Sequence, residues 1–244
     1  MNIRLINDNC ITAMEELADE NIKVDMVLTD LPYGTTQNKW DTIIPFEAMW
    51  EGVHSITNPN TPLVFFSQMP FTIKLADSNI KEFRYEWIWE KEQGTGYLNS
   101  KRMPLKIHEN ILVFYQKLPY YNPQMRDNEK RTIHRNDKTV KTTNYGKHIE
   151  IQESQYIGRY PVDIIKFNRN KNNTHPTQKP VELLEYLIRT YTKPNDTVLD
   201  FTMSSGSTGV ACQNTNRKFI GIELNKEYYD IAVERLNNKQ TKLI

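Results

Sequence analysis

Cysteine is almost missing from this chain: Cys10 and Cys212 are the only two in 244 residues, far apart and without metal-ligand spacing. That excludes a disulfide framework and a cysteine-built zinc site, and it reads as two free thiols in a reducing, cytoplasmic setting. No apolar run approaches the ~20 residues that cross a bilayer, and the N-terminus lacks the pattern of a signal peptide, so no membrane partner is expected. The five histidines (His54, His108, His134, His148, His175) are scattered without zinc-ligand spacing, and no metal is expected. No serine or cysteine nucleophile motif, internal repeat or low-complexity tract is present. Excess charge of one sign is also missing: 31 Lys and Arg stand against 30 Asp and Glu, a net +1 that does not by itself announce a nucleic-acid binder.

What is present is an ordinary globular composition, 38% hydrophobic and 25% charged, in a length that buries a real core as one large α/β domain or two small ones. Charge is unevenly spread. Between Lys117 and Lys171 there are twelve Lys and Arg against six Asp and Glu, so this segment is strongly basic and the remainder net acidic. Such a segment suits a phosphate backbone, although composition alone equally describes a solvated insertion.

Both ends of the chain alternate strand and helix patterns, and the middle does not. Short strands are predicted at Arg4–Ile6, Asp25–Thr29, Pro62–Phe66, Tyr85–Trp89, Asn110–Tyr115, Thr197–Phe201 and Phe219–Glu223. Amphipathic helices fit Ile11–Leu17, Pro45–Ile56, a segment from Phe71, Pro180–Tyr191, a segment through Gln213, and a last one capped by Asn225. Alternating units of this kind predict an α/β fold with a doubly wound, mostly parallel sheet. From Pro119 to Asn173 tyrosines are interleaved with basic and amide residues and periodicity fades. The predicted organisation is therefore residues 1–118, an inserted segment 119–173, and residues 174–244.

Two stretches carry chemistry. Asp30-Leu31-Pro32-Tyr33 follows the apolar run Met26-Val27-Leu28, so a buried strand delivers an acid, a fixed turn and an aromatic ring to one point. That set suits a flat nitrogen heterocycle held by its exocyclic amine, whereas Asp30 alone is more simply an acid capping a turn. Asp200 to Gly209 lies between a strand and a helix; its small residues let the backbone approach a ligand, and the helix start offers unpaired N–H groups. Glu223 ends the next strand, the place for a carboxylate that accepts both hydroxyls of a ribose. A tight structural turn is the plain alternative.

Together these residues resemble the motifs of amino-group DNA methyltransferases. Asp30 to Tyr33 is similar to the Asp-Pro-Pro-Tyr motif, with Leu31 for the first proline. Asp200-Phe201 followed by Ser205-Gly206-Ser207 resembles the Asp-Pro-Phe-x-Gly-Ser-Gly loop that binds S-adenosylmethionine, with Phe201 directly after the acid and Thr202-Met203-Ser204 filling the gap. His175-Pro176-Thr177-Gln178-Lys179-Pro180 closely matches a segment just upstream of that loop. The motif order looks like the permuted β-type members, which implies a Rossmann-like, circularly permuted domain with segment 119–173 as the target-recognition region.

The resemblance implies site residues as well. Asp30 and the Leu31 carbonyl accept the two amine hydrogens and localise the nitrogen lone pair, Pro32 keeps Leu31 extended, and Tyr33 stacks on an extruded base. S-adenosylmethionine is expected at Asp8, His175, Thr177, Lys179, Asp200, Phe201, Ser205, Gly206, Ser207 and Glu223, with Thr177 and Lys179 at the methionine carboxylate. Asp8 fits equally as the cap of the helix near Ile11. Lys39, Trp40, Arg126, Arg131 and Arg135 are expected to contact DNA, Trp40 serving equally well as a packing anchor. The implied partners are double-stranded DNA, a second copy in a homodimer, and a cognate restriction endonuclease. Aspartate followed by tyrosine points to adenine N6; cytosine N4, an RNA target, and a catalytically silent binding module stay open. Replacing Arg131 or Arg135 by Ala is expected to weaken DNA binding and to flatten its logarithmic salt dependence by about 0.9 for each phosphate that is no longer neutralised. Binding titrations across salt concentrations test this; an unchanged slope counts against a DNA-contacting role.

Overall fold

The computed structural model of the chain describes residues 2–35, 41–134, 153–168 and 178–240. They form two compact units, Met1–Asn122 with Asp163–Ile244, and Pro123–Val162. In the larger unit the chain runs β1 (Ile3–Ile6), α1 (Cys10–Asp19), β2 (Met26–Asp30), α2 (Phe46–Ser55), β3 (Leu63–Ser67), α3 (Phe71–Ser78), then the long pair β4 (Phe83–Thr95) and β5 (Lys106–Phe114). The smaller unit holds β6 (Lys130–His134) and β7 (Glu153–Ile157). The larger one resumes with β8 (Ile164–Lys166), α4 (Val181–Tyr191), β9 (Thr197–Asp200), α5 (Ser207–Thr215), β10 (Lys218–Ile222) and α6 (Lys226–Gln240).

Eight strands make one sheet in the order β1-β10-β9-β2-β3-β5-β4-β8. The first five are parallel neighbours, β5 runs antiparallel to both β3 and β4, and β8 is parallel to β4. The doubly wound α/β class expected from the sequence is what forms. Three strands depart from expectation: β6, β7 and β8 all lie inside the stretch read as irregular, and the three residues of β8 are too few to show a period.

Alternate residues of the central strands feed two cores, as strand geometry requires. Met26, Leu28, Val64, Phe66, Val198 and Phe219 pack against α4, α5 and α6, whereas Val27, Leu63, Phe65, Leu199 and Ile220 pack against α1, α2 and α3. Burial on both faces explains why these strands read as continuous apolar runs. Helix starts follow local chemistry. The Asn9 side chain accepts the Ile11 amide at 2.9 Å, so the cap of α1 is Asn9 and not Asp8, whose carboxylate instead accepts the Asn9 amide. Asn225 accepts the Glu227 amide at 2.9 Å at the head of α6, as its sequence position predicts.

Because α2 and α3 cover one face and α5 and α6 the other, the winding reverses between β2 and β9. In open α/β sheets that reversal opens a crevice at the carboxyl ends of the strands. The ends of β2, β9 and β10 all lie there. The described residues of the smaller unit include a two-stranded antiparallel ribbon, with backbone bonds from Gly158 to Glu129 and from Arg126 to Arg159, both at 2.8 Å.

Gly221 in β10 has no room for a side chain: an added Cβ would stand 2.3 Å from the Met203 sulfur and 2.7 Å from the Phe219 ring. Gly221→Ala is therefore expected to cost ~1–3 kcal/mol of stability by overpacking. Urea unfolding measures this, and a neutral result would mean that Met203 and Phe219 repack freely.

Candidate active site

The crevice is a cleft of about 780 Å³. Asp30 to Tyr33 enter it from the end of β2, Phe201 to Ser205 and Ser207 from the end of β9, and Glu223 to Asn225 from the end of β10. Asn9 to Ile11, Gln178, Lys179, Trp89, Lys91 and Glu109 complete much of the wall. Residues far apart in the chain thus share one cavity because parallel strands end on one edge.

Asp200 holds the two central strands together at that edge. It is buried, with Thr29 donating to one oxygen at 2.7 Å and Thr208 to the other at 2.6 Å; the Thr202 amide adds a weaker bond at 3.2 Å. Thr202 also donates to the Asp30 carbonyl at 3.0 Å, tying the cofactor-side loop to the acid motif. Asp200, expected from sequence at the cofactor, lines the cleft, and both its oxygens are engaged by this loop and its neighbours. Burial pushes its carboxyl up to about 6, opposed by the bonds from Thr208, Thr29 and the Thr202 amide.

The carboxylate of Asp30 accepts the Tyr33 hydroxyl at 2.7 Å on one oxygen and the Lys179 ammonium at 2.5 Å on the other. Lys179 is also 3.2 Å from Glu109 Oε2, an electrostatic contact without hydrogen-bond geometry, and the other Glu109 oxygen pairs with the buried Lys91. The result is a chain of alternating charge, Asp30–Lys179–Glu109–Lys91. Burial works against both inner members, yet their partners prevail: Asp30 and Glu109 hold the Lys179 ammonium above the ordinary lysine value. Lys179 and Lys91 hold Glu109 below the ordinary carboxylate value. Lys179, expected at the methionine carboxylate, is therefore found on the acid motif. Burial, with the charge of Asp30 next, pushes the Tyr33 phenol well above its usual range, so it stays a donor. Its ring rests on Phe71, centroids 5.3 Å apart.

On the other side, Glu223 accepts the Ser204 amide at 2.9 Å and the Asn225 amide at 2.8 Å, one on each oxygen. A carboxylate has more acceptor capacity than these amides use, and the group faces the cleft, which fits a ribose hydroxyl. Burial raises the Glu223 carboxyl, and the backbone amides oppose that. Gly206 stands at φ +76° before α5, where its missing side chain lets Ala232 approach; it supports the loop without lining the cleft. Phe201 is buried against Phe65 and shows one surface to the cavity. The Asp8 side chain stays outside the cleft lining.

His175, Thr177, Lys39, Trp40 and Arg135 lie outside the described residues. Arg126 is exposed in the smaller unit, donating to the Tyr160 carbonyl at 2.9 Å, and Arg131 sits on β6. Several participants were not singled out from the sequence. Lys91 and Glu109 were legible only as charges inside otherwise apolar strands. Asp41, legible in the sequence as part of the loop that follows the Asp30 motif and could close over the base or contact DNA, accepts the Gly34 and Thr35 amides at 2.8 and 2.9 Å and fastens that loop. Arg235 of α6 reaches Ser207 Oγ at 3.0 Å and the Ser205 carbonyl at 3.1 Å from behind. Among the described residues no group of three acids, histidines or cysteines could hold a metal, and no helix is long and apolar enough to cross a membrane.

The profile of the N6/N4 DNA methylase family matches residues 24–234. The chain belongs to this DNA methylase family. Type II methyltransferase M.HpaI of Haemophilus parainfluenzae is 29% identical over 255 aligned positions, covering 98% of this chain and 76% of that one. Type II methyltransferase M1.MboII of Moraxella bovis is 25% identical, covering 94% of each. The solved structure of the M1.HpyAVI–SAM complex superposes with a TM-score of 0.66 at 27% identity, covering 96% of this chain and all of that one. The PvuII cytosine-N4 DNA methyltransferase shares the fold, with a TM-score of 0.66 at 16% identity over 96% of this chain and 86% of that one. This methylase uses S-adenosylmethionine, and the spare acceptor capacity of Glu223 beside the small residues Ser204 to Ser207 suits the nucleoside of that cofactor.

Since folded Asp200 holds its proton more tightly than an unfolded chain does, its contribution to stability is complete below about pH 4 and is lost as pH rises through about 6. A shift of about two units corresponds to ~3 kcal/mol. The unfolding free energy of the wild type minus that of Asp200→Asn is expected to fall by about that amount between pH 4 and 7. A pH-independent difference in urea titrations would sink this account of Asp200.

Proposed function

We propose that this DNA methylase transfers the methyl group of S-adenosylmethionine to the N6 amine of adenine in double-stranded DNA, acting on a base swung out of the helix. The observation that carries the reading is one cavity walled by Asp30 and Tyr33 on one side and by Ser205, Ser207 and Glu223 on the other. When bound, the cofactor supplies an electrophilic methyl group on a sulfonium.

The residues of the chain do the rest. Asp30 accepts a hydrogen bond from one amine hydrogen and the Leu31 carbonyl from the other, which draws the nitrogen toward tetrahedral geometry and localises its lone pair. A leucine carbonyl accepts as well as a proline carbonyl, and Pro32 keeps Leu31 extended. Tyr33 offers its ring to the base. Lys179 compensates the Asp30 charge in the free enzyme, and the arriving amine takes its place or shares the oxygen with it. Asp30 need not remove a proton before attack, because the amine becomes strongly acidic only after methylation. Glu223 orients the ribose, and the Ser204–Ser207 turn accommodates the remaining cofactor backbone.

Segment 119–173, with its compact unit Pro123–Val162, is assigned to target recognition through Arg126, Arg131 and Arg135. The Type II names of the relatives support a modification enzyme paired with a restriction endonuclease, and a homodimer is the expected assembly.

The test is incubation with unmethylated DNA and methyl-labelled S-adenosylmethionine, digestion to nucleosides and mass spectrometry. Label is expected in N6-methyladenine, and Asp30→Ala is expected to lower it about 100- to 1000-fold while cofactor affinity stays within a few-fold. Label in N4-methylcytosine would keep the mechanism and replace the base. No label, with cofactor still bound, would point to a silent binding module or an RNA substrate.

A further inference from the structure

Beyond the cleft, β4 and β5 continue as a hairpin whose end is built to meet something. Thr95 pairs with Lys106 at its neck, and an added Cβ on Gly94 would stand 2.8 Å from Leu105, so the two strands close tightly there. The turn that follows is ordered by its own backbone bonds, from Asn99 to Gly96 at 2.9 Å, Ser100 to Tyr97 at 3.1 Å and Arg102 to Asn99 at 2.8 Å. This fixed turn holds its large apolar side chains away from the core: Leu98 is fully exposed, Tyr97 is 65% and Met103 53% exposed. The register of β4 on β5 shifts between Glu90 and Thr95, so the tip joins the sheet through an irregular neck, and the backbone bonds of the turn itself define the conformation that displays Leu98.

Charge identifies the occupant. Lys101, Arg102 and Lys106 lie in this stretch, and no acid occurs from Gln93 to His108. A second copy docking symmetrically would set these cations against one another. A phosphate backbone would not. The hairpin also springs from the active cleft, since Lys91 and Thr95 line it together with Asp30. A base can reach Asp30 only by leaving the duplex, and its departure opens a gap in the stack. Leucine and methionine are among the side chains that wedge into such gaps, and lysine and arginine are the usual partners of the flanking phosphates.

We propose that the Tyr97–Met103 turn enters the DNA beside the target base, Leu98 occupying the space that the extruded base leaves while Lys101 and Arg102 grip the neighbouring phosphates. The proposal rests on the methyltransferase reading above.

To test it, the methylated site is first mapped by sequencing DNA treated with the wild-type enzyme. Two short duplexes then carry that site, one with the target base normally paired and one with it opposite an abasic nucleotide, where little unpairing remains to be done. Single-turnover methyl transfer by Leu98→Ala is expected to fall roughly tenfold on the paired duplex. It should stay within about twofold on the abasic one, because the base there is already free to leave. Lys101→Ala with Arg102→Ala is expected to reduce the logarithmic salt slope of DNA binding by about 1.8. Cofactor affinity should be unchanged in all variants. Full activity of Leu98→Ala on the paired duplex overturns the proposal, and so does an equal loss on both duplexes. So does a wild-type dimer that Leu98→Asp converts to monomer in sedimentation, which would assign the tip to a second copy. A wild-type protein that binds the cofactor yet methylates no DNA defeats the underlying reading instead, and is recognised before any variant is made.

Discussion

The buried carboxylate of Asp200 is the point on which the geometry of the site depends. Strands β2 and β9 come from opposite ends of the chain and share only a short register, Met26 beside Val198 and Val27 beside Leu199. Past that register nothing in a parallel ladder keeps their ends in place. Asp200 does so by gathering Thr29 from one strand with Thr202 and Thr208 from beyond the other, while Thr202 returns a bond to the Asp30 carbonyl. In a low-dielectric interior such bonds are strong when made and costly when broken. The acid that would meet the base and the loop that faces the cofactor are thereby held at one separation.

A second device extends the clasp across the cleft. The alternating row Asp30, Lys179, Glu109 and Lys91 links β2, the segment before α4, and the strand pair β4 and β5. Buried ion pairs are poor evidence for stability, because desolvation offsets most of their attraction. Their effect here is on geometry: a charge removed from its partners in this interior is expensive, so the four side chains are confined to positions where each is compensated. That confinement gives Asp30 a defined orientation before any ligand arrives.

The alternating elements, the two-sided apolar strands, the Asp30 motif and the small-residue loop before α5 were all legible in the sequence, because each depends on neighbours within a turn or a strand. The departures have local causes too. Asn9 rather than Asp8 caps α1 because its side chain, one residue nearer, reaches the Ile11 amide. Strand β8 is not legible because three residues carry no period and it exists only by pairing with β4, and β6 and β7 likewise exist by pairing with each other. Lys91 and Glu109 could be suspected as charges within strands, but not matched to each other or to Lys179.

By itself, then, the sequence determined the fold class, the family and the two motifs, since hydrophobic periodicity, turn chemistry and motif order are properties of contiguous residues. Only the tertiary structure decided what each charged group faces. It made Asp200 a clasp at the cleft edge, set Lys179 on Asp30, brought Glu109 and Lys91 into the same row, and left Leu98 exposed at the tip of the β4–β5 hairpin. Burial and distance set the energy of a charge, and both come from the meeting of segments that lie far apart in the chain.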